Sequence, residues 1–223
     1  MKYIPYMKTY DTRRLWVEET DKGFEVILNE TIFQPRSEFY PSDRGIISGI
    51  AVEEVFVRNG KIIHLLLEKP WEEVMHLELD IFRHFDILQQ QTGFSLFKIA
   101  LERLYDTKII SYKINDKDSE IVLPIFSREQ EKRAEIFTNR LITSAMEIEA
   151  LRENDFDVSE NFNYSDEGTM FVSIYETPFN GLQCKNTGEV GMFKIVDRAL
   201  GNDSLSLKFL CGERAFKYFQ EMC

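Results

Sequence analysis

The sequence predicts an α+β protein with two domains, a β-rich N-terminal domain over residues 1–82 and a mixed domain over residues 83–223. Its first eighty residues alternate between apolar and polar side chains and are interrupted by turn sequences, which is typical of antiparallel strands. Near residue 85 the apolar period lengthens to that of a helix. A chain of this length can form one large domain or two small ones, and the change of period favours a boundary near residue 82.

Two hairpins are predicted in the N-terminal domain. Strands at residues 15–19 and 24–28 surround a turn at residues 21–23, and strands at residues 50–57 and 61–67 surround Asn59-Gly60. Asn-Gly between alternating segments is the strongest short-range hairpin signal, because both residues accept the positive φ of a type I′ turn. The loop between the hairpins, residues 31–45, is long for a compact domain, and such loops are commonly functional. A further strand is predicted at residues 76–81.

The second domain begins with a helix over about residues 85–105, where apolar residues recur at helical spacing. Ser127 is followed by acidic residues, which is typical of a helix N-cap, and it predicts a second long helix that ends near residue 152. Residues 153–168 are polar and acidic and predict a surface loop. The remaining elements are strands at residues 108–114, 120–125, 170–175, 190–196 and 205–210 and a closing helix at residues 213–222.

Charge and cysteine content exclude several classes of protein. The formal net charge is −11 and acidic residues outnumber basic ones in both domains, which argues against a general nucleic-acid binder because phosphate contacts dominate such affinity. Cys184, Cys211 and Cys223 form no C-x-x-C pair and cannot all be bridged, so we expect reduced thiols. The chain begins without the apolar core of a signal peptide and has no apolar run long enough to span a bilayer. We therefore expect a cytoplasmic protein without a membrane partner.

Two segments of the second domain carry a specific resemblance. Gln91-Thr-Gly-Phe-Ser95 and Phe179-Asn-Gly-Leu-Gln183 resemble the two metal-binding motifs of the editing domain of alanyl-tRNA synthetase and its free-standing relatives, the AlaX proteins, where they read His-Thr-Gly-Gln-His and Cys-Gly-Gly-Thr-His. The residues that frame both motifs match the family as well. They are Asp86, Gln89, Thr92, Gly93, Pro178, Gly181 and Asn186-Thr-Gly-Glu189.

The resemblance covers nearly the whole chain in order. It includes Thr31-Ile-Phe-Gln-Pro35 and Pro41-Ser-Asp-Arg-Gly45, which bracket a glycine-rich loop in the family, and the closing Gly212-Glu-Arg-Ala215. It implies a small barrel-like, β-rich N-terminal domain packed on an α+β editing domain with an antiparallel sheet and two long helices. It also implies hydrolysis of the ester of a mischarged aminoacyl-tRNA, typically serine on a tRNA for alanine, with a zinc ion that orients substrate or water.

The four positions of the family's zinc ligands hold Gln91, Ser95, Phe179 and Gln183. Zinc sites in proteins are made from Cys thiolate, His nitrogen and carboxylate oxygen. Two neutral amides, a hydroxyl and a hydrocarbon ring are not competitive donors, so we expect no zinc and no other cofactor. A shift to the neighbouring Cys184 would not restore the site, because adjacent side chains of an extended segment point to opposite faces.

The chain offers no obvious replacement for these ligands. His64, His76 and His84 are predicted to be packing or surface residues, with His84 just before the first helix. Ser95 has no histidine near it in sequence to serve as a base. No phosphate-binding loop or dinucleotide motif is present, so ATP is not an expected ligand.

The glycine-rich loop of the family is also replaced, by Arg36-Ser-Glu-Phe-Tyr40. Glycine is used where backbone must approach a ligand closely, and aromatic residues disfavour that approach. Phe94 and Phe179 likewise place rings where the family keeps smaller or polar groups. We expect the rings to fill the former substrate pocket at least in part; the alternative is that some of them point into the neighbouring core. The candidate pocket residues are Thr31, Glu38, Phe39, Tyr40, Asp86, Thr92 and Phe94.

Three functions remain open on the sequence. The first is an AlaX-like protein without zinc and with doubtful hydrolase activity that still binds, weakly, the acceptor end of an aminoacyl-tRNA. The second is a metal-independent hydrolase in which polar side chains position the water, and its candidates are Gln91, Ser95, Gln183, Thr31 and Asp86. The third is a module on the same fold that binds a small molecule or a protein. No residue is assigned as catalytic.

Overall fold

The computed structural model describes residues 7–152 and 166–222. The chain divides into two compact units, one from the described parts of Met1–Phe85 and Arg152–Asp166 and one from those of Asp86–Leu151 and Glu167–Cys223. Most of the loop predicted at residues 153–168, and also Cys223, lie outside the described residues. The mixture of strands and helices confirms the α+β class.

The first unit is a closed antiparallel barrel of six strands, which confirms the barrel-like domain. Its strands are β1 (Thr9–Thr20), β2 (Gly23–Leu28), β3 (Gly45–Ile47), β4 (Ile50–Arg58), β5 (Lys61–Leu66) and β6 (Val74–Leu79), in the order β1-β2-β5-β4-β3-β6. Pairing between β6 and β1 closes the barrel. Strand β3 was not predicted, because three residues are too few to show an alternating pattern.

Local sequence signals set the barrel's hairpins. Asn59 and Gly60 connect β4 to β5 with φ of 53° and 73°, as a type I′ turn requires. Alternate residues of β6 are buried, which directs its apolar side chains inward. The interior is lined by Val26, Leu28, Ile32, Phe33, Ile47, Val52, Val55, Leu66, Met75, Leu77 and Leu79.

The second unit combines helices with two antiparallel sheets. The helices are α1 (Ile81–Tyr105, beginning in the first unit), α2 (Arg128–Thr143) and α3 (Gly212–Glu221). One sheet has the order β12 (Phe193–Leu200), β13 (Leu205–Cys211), β8 (Ser119–Leu123), β7 (Ser111–Ile114); the other has the order β11 (Tyr175–Asn180), β10 (Glu167–Val172), β9 (Ile148–Arg152). Thr187–Val190 forms a 3₁₀ helix. No helix within the described ranges is both long and apolar enough to cross a membrane.

Helix α2 starts as predicted but ends earlier. Ser127 caps it in a capping box, since its Oγ accepts from the Gln130 N–H while Gln130 Oε1 accepts from the Ser127 N–H. The prediction that the helix continues to residue 152 is wrong, because Ala145 takes a φ of 47° and Ile148 N–H donates to Lys185 O at 2.8 Å. Contacts with a distant segment therefore turn residues 148–152 into strand β9.

The predicted bounds of the strand at residues 170–175 are also wrong. Strand β10 ends at Val172, and a turn with Ser173 at φ 55° leads into β11. Pro178 and Phe179 therefore lie in a strand. Pro178 is tolerated there because β11 is at the edge of its sheet, where one side of the strand needs no hydrogen-bond donors.

Candidate functional site

Helix α1 joins the two motif segments through side-chain hydrogen bonds. Gln91 Oε1 accepts from Leu182 N–H at 3.2 Å, and Thr92 Oγ1 accepts from Cys184 N–H at 2.8 Å. Both acceptors and both donor residues are buried. The turn of helix that carries the first motif is therefore fastened to the chain on both sides of Gln183.

The two preceding glutamines fasten other parts of the second unit to the same helix. Gln89 Nε2 donates to Glu189 O at 2.8 Å. Gln90 makes a two-way bond with Cys211, donating to its carbonyl at 3.1 Å and accepting from its N–H at 2.8 Å. Polar residues of this turn of α1 thus satisfy backbone groups that burial would otherwise leave without partners.

All four former ligand positions are buried. Gln91, Ser95, Phe179 and Gln183 are exposed by 5% or less. Gln91 contacts the segment that leads to Gln183, so the structure brings at least these parts of the two motifs together.

Several polar atoms of this region have no hydrogen-bond partner among the described residues. They are Gln91 Nε2, both amide atoms of Gln183 and Thr177 Oγ1. A buried polar group without a partner costs about 1–3 kcal/mol.

The zinc that the resemblance implies does not fit this donor set. Amide nitrogens cannot ligate a cation, Phe179 offers only a ring, and the oxygens of Gln91, Ser95 and Gln183 are neutral. Gln91 Oε1 in addition accepts a backbone hydrogen bond. Over the described residues, no group of three or more His, Cys, Asp and Glu side chains is placed to hold a metal ion.

The rings of Phe179 and Phe94 pack inside the second unit. A Cβ atom added to Gly168 would lie only 2.8 Å from Phe179 Cε1 and Cζ. The Phe179 ring therefore packs directly against the backbone of Gly168, and a side chain at residue 168 would prevent this contact. Phe94 stacks on Tyr112 with ring centroids 3.8 Å apart. Both phenylalanines are largely buried.

Asp86 is held in an ion pair with the closing signature. Arg214 Nε lies 2.8 Å from Asp86 Oδ1 and Arg214 Nη2 lies 2.6 Å from Oδ2, which is a bidentate geometry. Arg214 Nη1 also donates to Asn115 O at 2.7 Å. Asp86 therefore fastens the start of α1 to the signature, and this contact accounts for its side chain without a substrate.

The loop that replaces the glycine-rich segment lies in the first unit. Glu38 is exposed, Phe39 is partly buried and Tyr40 is 2% exposed. Phe39 N–H donates to Ser37 Oγ, and Ser37 N–H donates to Tyr40 O, so the segment forms a compact turn. The candidate pocket draws residues from both units, and that they form one pocket stays a prediction.

The barrel contains an arrangement that sequence reasoning missed. His64, on β5, is fully buried, and its Nε2 lies 2.8 Å from Thr31 Oγ1. Its Nδ1 lies 3.3 Å from Val26 O. Thr31 and His64 both line a concave pocket of about 760 Å³ on the barrel. The signal in the sequence was a single histidine between the apolar residues of this strand, which we interpreted as a packing or surface residue.

The other two histidines have separate environments. His76 is half exposed and its Nδ1 lies 2.6 Å from Asp11 Oδ1, which raises the pKa of the imidazole. His84 lies within α1 rather than before it, because the helix begins at Ile81. Its Nδ1 lies 2.8 Å from Asp43 Oδ2, and both side chains are buried.

Cys184 and Cys211 are free and buried, as predicted for reduced thiols. Burial raises the pKa of the Cys184 thiol to about 12 and that of Cys211 well above its ordinary value. Both thiols are therefore protonated at neutral pH.

Comparison with known proteins returns alanyl-tRNA editing proteins. The alanyl-tRNA editing protein AlaX-L of Pyrococcus horikoshii is 29% identical over 98% of this chain and 59% of its own length. The alanyl-tRNA editing protein Aarsd1-A of Xenopus laevis is 27% identical over 90% of this chain and 52% of its own length. An alanine–tRNA ligase of Halobacterium salinarum is 23% identical over 91% of this chain but 24% of the ligase.

No family model matches the chain. The chain spans little more than half the length of the editing proteins it is similar to. The similarity to AlaX-L and Aarsd1 over nearly all of this chain nevertheless confirms the resemblance to AlaX-type editing proteins.

Proposed function

We propose that this chain is a divergent alanyl-tRNA editing protein of the AlaX type that binds the aminoacyl end of tRNA but has lost zinc-dependent ester hydrolysis. The names of its relatives support the substrate class. The donor chemistry of Gln91, Ser95, Phe179 and Gln183 supports the loss of zinc.

The observation that carries the proposal is the hydrogen bond from Leu182 N–H to Gln91 Oε1. In the family, ligands from both motifs hold one ion, so the ion cross-links the first helix to the second motif. Here the Gln91–Leu182 and Thr92–Cys184 bonds connect the same two segments. The structural part of the metal's role is thus taken by side chains of α1, and the electrophilic part has no replacement among these four positions.

Binding to tRNA is proposed to be weak and strongly dependent on salt. A net charge of −11 repels the phosphate backbone at long range, so affinity depends on a local contact with the acceptor end. Because salt cations compete with the protein for each phosphate, the logarithm of the affinity falls in proportion to the logarithm of the salt concentration. We expect a measurable slope at low ionic strength and loss of binding near physiological salt.

Metal analysis of the purified chain tests the zinc-free part. We expect zinc well below one ion per chain after dialysis against micromolar zinc. The control is the quadruple variant Gln91→His, Ser95→His, Phe179→Cys, Gln183→His, which restores the donor types of the family and should bind about one zinc per chain. Stoichiometric zinc in the unmodified chain would refute this part of the proposal.

A deacylation assay tests the lost activity. Ser-tRNA and Ala-tRNA for alanine are incubated with the unmodified chain and with the zinc-loaded quadruple variant, and ester hydrolysis is measured against buffer. We expect that zinc does not accelerate ester hydrolysis by the unmodified chain. We also expect that this chain binds tRNA at low salt, as measured by fluorescence anisotropy. Hydrolysis by the metal-free chain that disappears in Gln91→Ala and Ser95→Ala would instead support the metal-independent hydrolase.

A further inference from the structure

We propose that the barrel carries a second site, in which Thr31 is the nucleophile and His64 is its base toward esters of small carboxylic acids. This site lies wholly within the first unit and uses none of the former zinc-ligand positions, and of the candidate pocket residues named from the sequence it includes Thr31 alone. It goes beyond the proposed function and does not depend on RNA binding.

The hydrogen bonds of His64 fix the direction of proton transfer. A carbonyl oxygen only accepts, so the contact of 3.3 Å between Nδ1 and Val26 O places the ring proton on Nδ1. Nε2 then presents its lone pair to Thr31 Oγ1 at 2.8 Å, and the threonine hydroxyl donates. The Phe33 ring packs against the imidazole in a T-shaped arrangement, with centroids 5.8 Å apart, and restricts its orientation. A nucleophile, its base and a group that orients the base are thus aligned.

The protonation state of His64 suits a base. Burial lowers the pKa of the imidazole to about 4, so the ring is neutral and able to accept a proton at neutral pH. The Thr31 oxygen also accepts a hydrogen bond of 3.1 Å from the Phe33 N–H. This N–H stabilises negative charge that develops on the oxygen when the hydroxyl proton leaves.

The pocket determines the class of substrate. Its volume of about 760 Å³ lies in the range of small-molecule sites. Leu15, Trp16 and Ile62 supply apolar contacts for a short acyl group. The ionisable groups on its wall besides His64 are Glu30 and Lys61, and Glu30 accepts a hydrogen bond from the Tyr10 hydroxyl.

The reaction balances with water as the only co-reactant. Thr31 Oγ attacks the ester carbonyl carbon while its proton passes to His64 Nε2. The carbon–alkoxy bond breaks, the leaving oxygen takes that proton, and the acyl group remains as an ester on Thr31. Water then attacks the acyl carbon and gives a proton to His64, which returns it to Thr31 Oγ as the acid leaves. A base with a pKa near 4 is weaker than one matched to neutral pH, so turnover is slow.

Hydrolysis of p-nitrophenyl acetate by the full chain tests the site. We expect release of p-nitrophenol above buffer background and one acetyl group on Thr31 in acid-quenched protein, located by peptide mass spectrometry. Thr31→Ser should keep the activity, and Thr31→Val and His64→Gln should lower it by about 100-fold, the scale of general-base catalysis. The rate should rise through about pH 4 and then level off, because His64 must be neutral.

The control is Thr138→Val, which removes a similarly buried threonine hydroxyl that donates to Ala134 O in helix α2, outside the pocket. It should behave as the unmodified chain. Release at the buffer rate, full activity in Thr31→Val, or acetyl on Lys61 instead of Thr31 would each overturn the proposal. If thermal melting shows that Thr31→Val is unfolded, the position of the acetyl group on the unmodified chain decides the question.

Discussion

Replacing Gln183 with leucine should stabilise the protein, although Gln183 lies in a motif that the family uses for catalysis. Both amide atoms of Gln183 are buried without a hydrogen-bond partner among the described residues, and the residue is 5% exposed. Leucine has a similar volume and no polar atoms. Two unpartnered atoms at about 1–3 kcal/mol each set an upper limit, and relaxation of the amide in solution reduces it, so we expect a gain of about 1–3 kcal/mol.

The matched control is Gln90→Leu, which makes the same substitution at a buried glutamine of helix α1. Gln90 is fully buried and both of its amide atoms are bonded to the backbone of Cys211. Leucine there leaves a buried N–H and a buried carbonyl without their partners, so we expect a loss of about 2–4 kcal/mol. The two variants should therefore move in opposite directions.

Urea unfolding followed by tryptophan fluorescence and circular dichroism measures both effects. Gln183→Leu should raise the midpoint and Gln90→Leu should lower it, with unchanged slopes. A loss of more than about 1 kcal/mol in Gln183→Leu would refute the reasoning, because it would mean that the amide of Gln183 makes stabilising contacts in solution. A gain would show that the buried amide of Gln183 costs the folded protein stability.

Three further outcomes follow from the contacts. Thr92→Val should lose about 1–3 kcal/mol because it leaves the Cys184 N–H unbonded, whereas Thr143→Val, at an exposed position, should stay within about 0.5 kcal/mol by the same urea assay. The pKa of His64 is about 4 in the folded protein, where it is buried, and 6.5 in the unfolded chain. Between these pH values the unfolded state binds the proton more readily, so the folded protein loses about 3 kcal/mol of stability as the pH falls from 6.5 to 4. His64→Gln should remove this part of the pH dependence of the urea midpoint. With a thiol pKa of about 12, only about one in 10,000 Cys184 side chains is ionised at pH 8. Iodoacetamide should therefore leave Cys184 unlabelled in the native protein and label it in urea-unfolded protein, as measured by peptide mass spectrometry.

Features with a local cause were predictable from the sequence. Asn59-Gly60 gave the β4–β5 hairpin, because the turn depends on the φ angles of two residues. Ser127 and the acidic residues after it predicted the start of α2, because an N-cap depends only on the residues of the first turn. The ordered motifs around Gln91 and Gln183 gave the resemblance to editing proteins, which the comparisons confirm.

Features with a distant partner were not predictable. Helix α2 ends at Thr143 because residues 145–148 bond to residues near Asn186, and the apolar spacing of Ile148 carried no sign of this. The turn after Val172 also escaped detection, since Ser173 and Ile174 form no strong turn sequence.

The sequence by itself determined the α+β class, the barrel's main hairpins and the loss of zinc-type donors, because each depends on residue type or on neighbours along the chain. Only the tertiary structure decided what the replacement residues do. It showed that Gln91 and Thr92 bond the backbone about ninety residues away, and that Thr31, just after strand β2, meets His64 on the neighbouring strand β5. Side chains separated by such distances in sequence meet only after the strands and helices have packed, and only then do buried polar groups such as those of Gln91 and Thr92 find their hydrogen-bond partners.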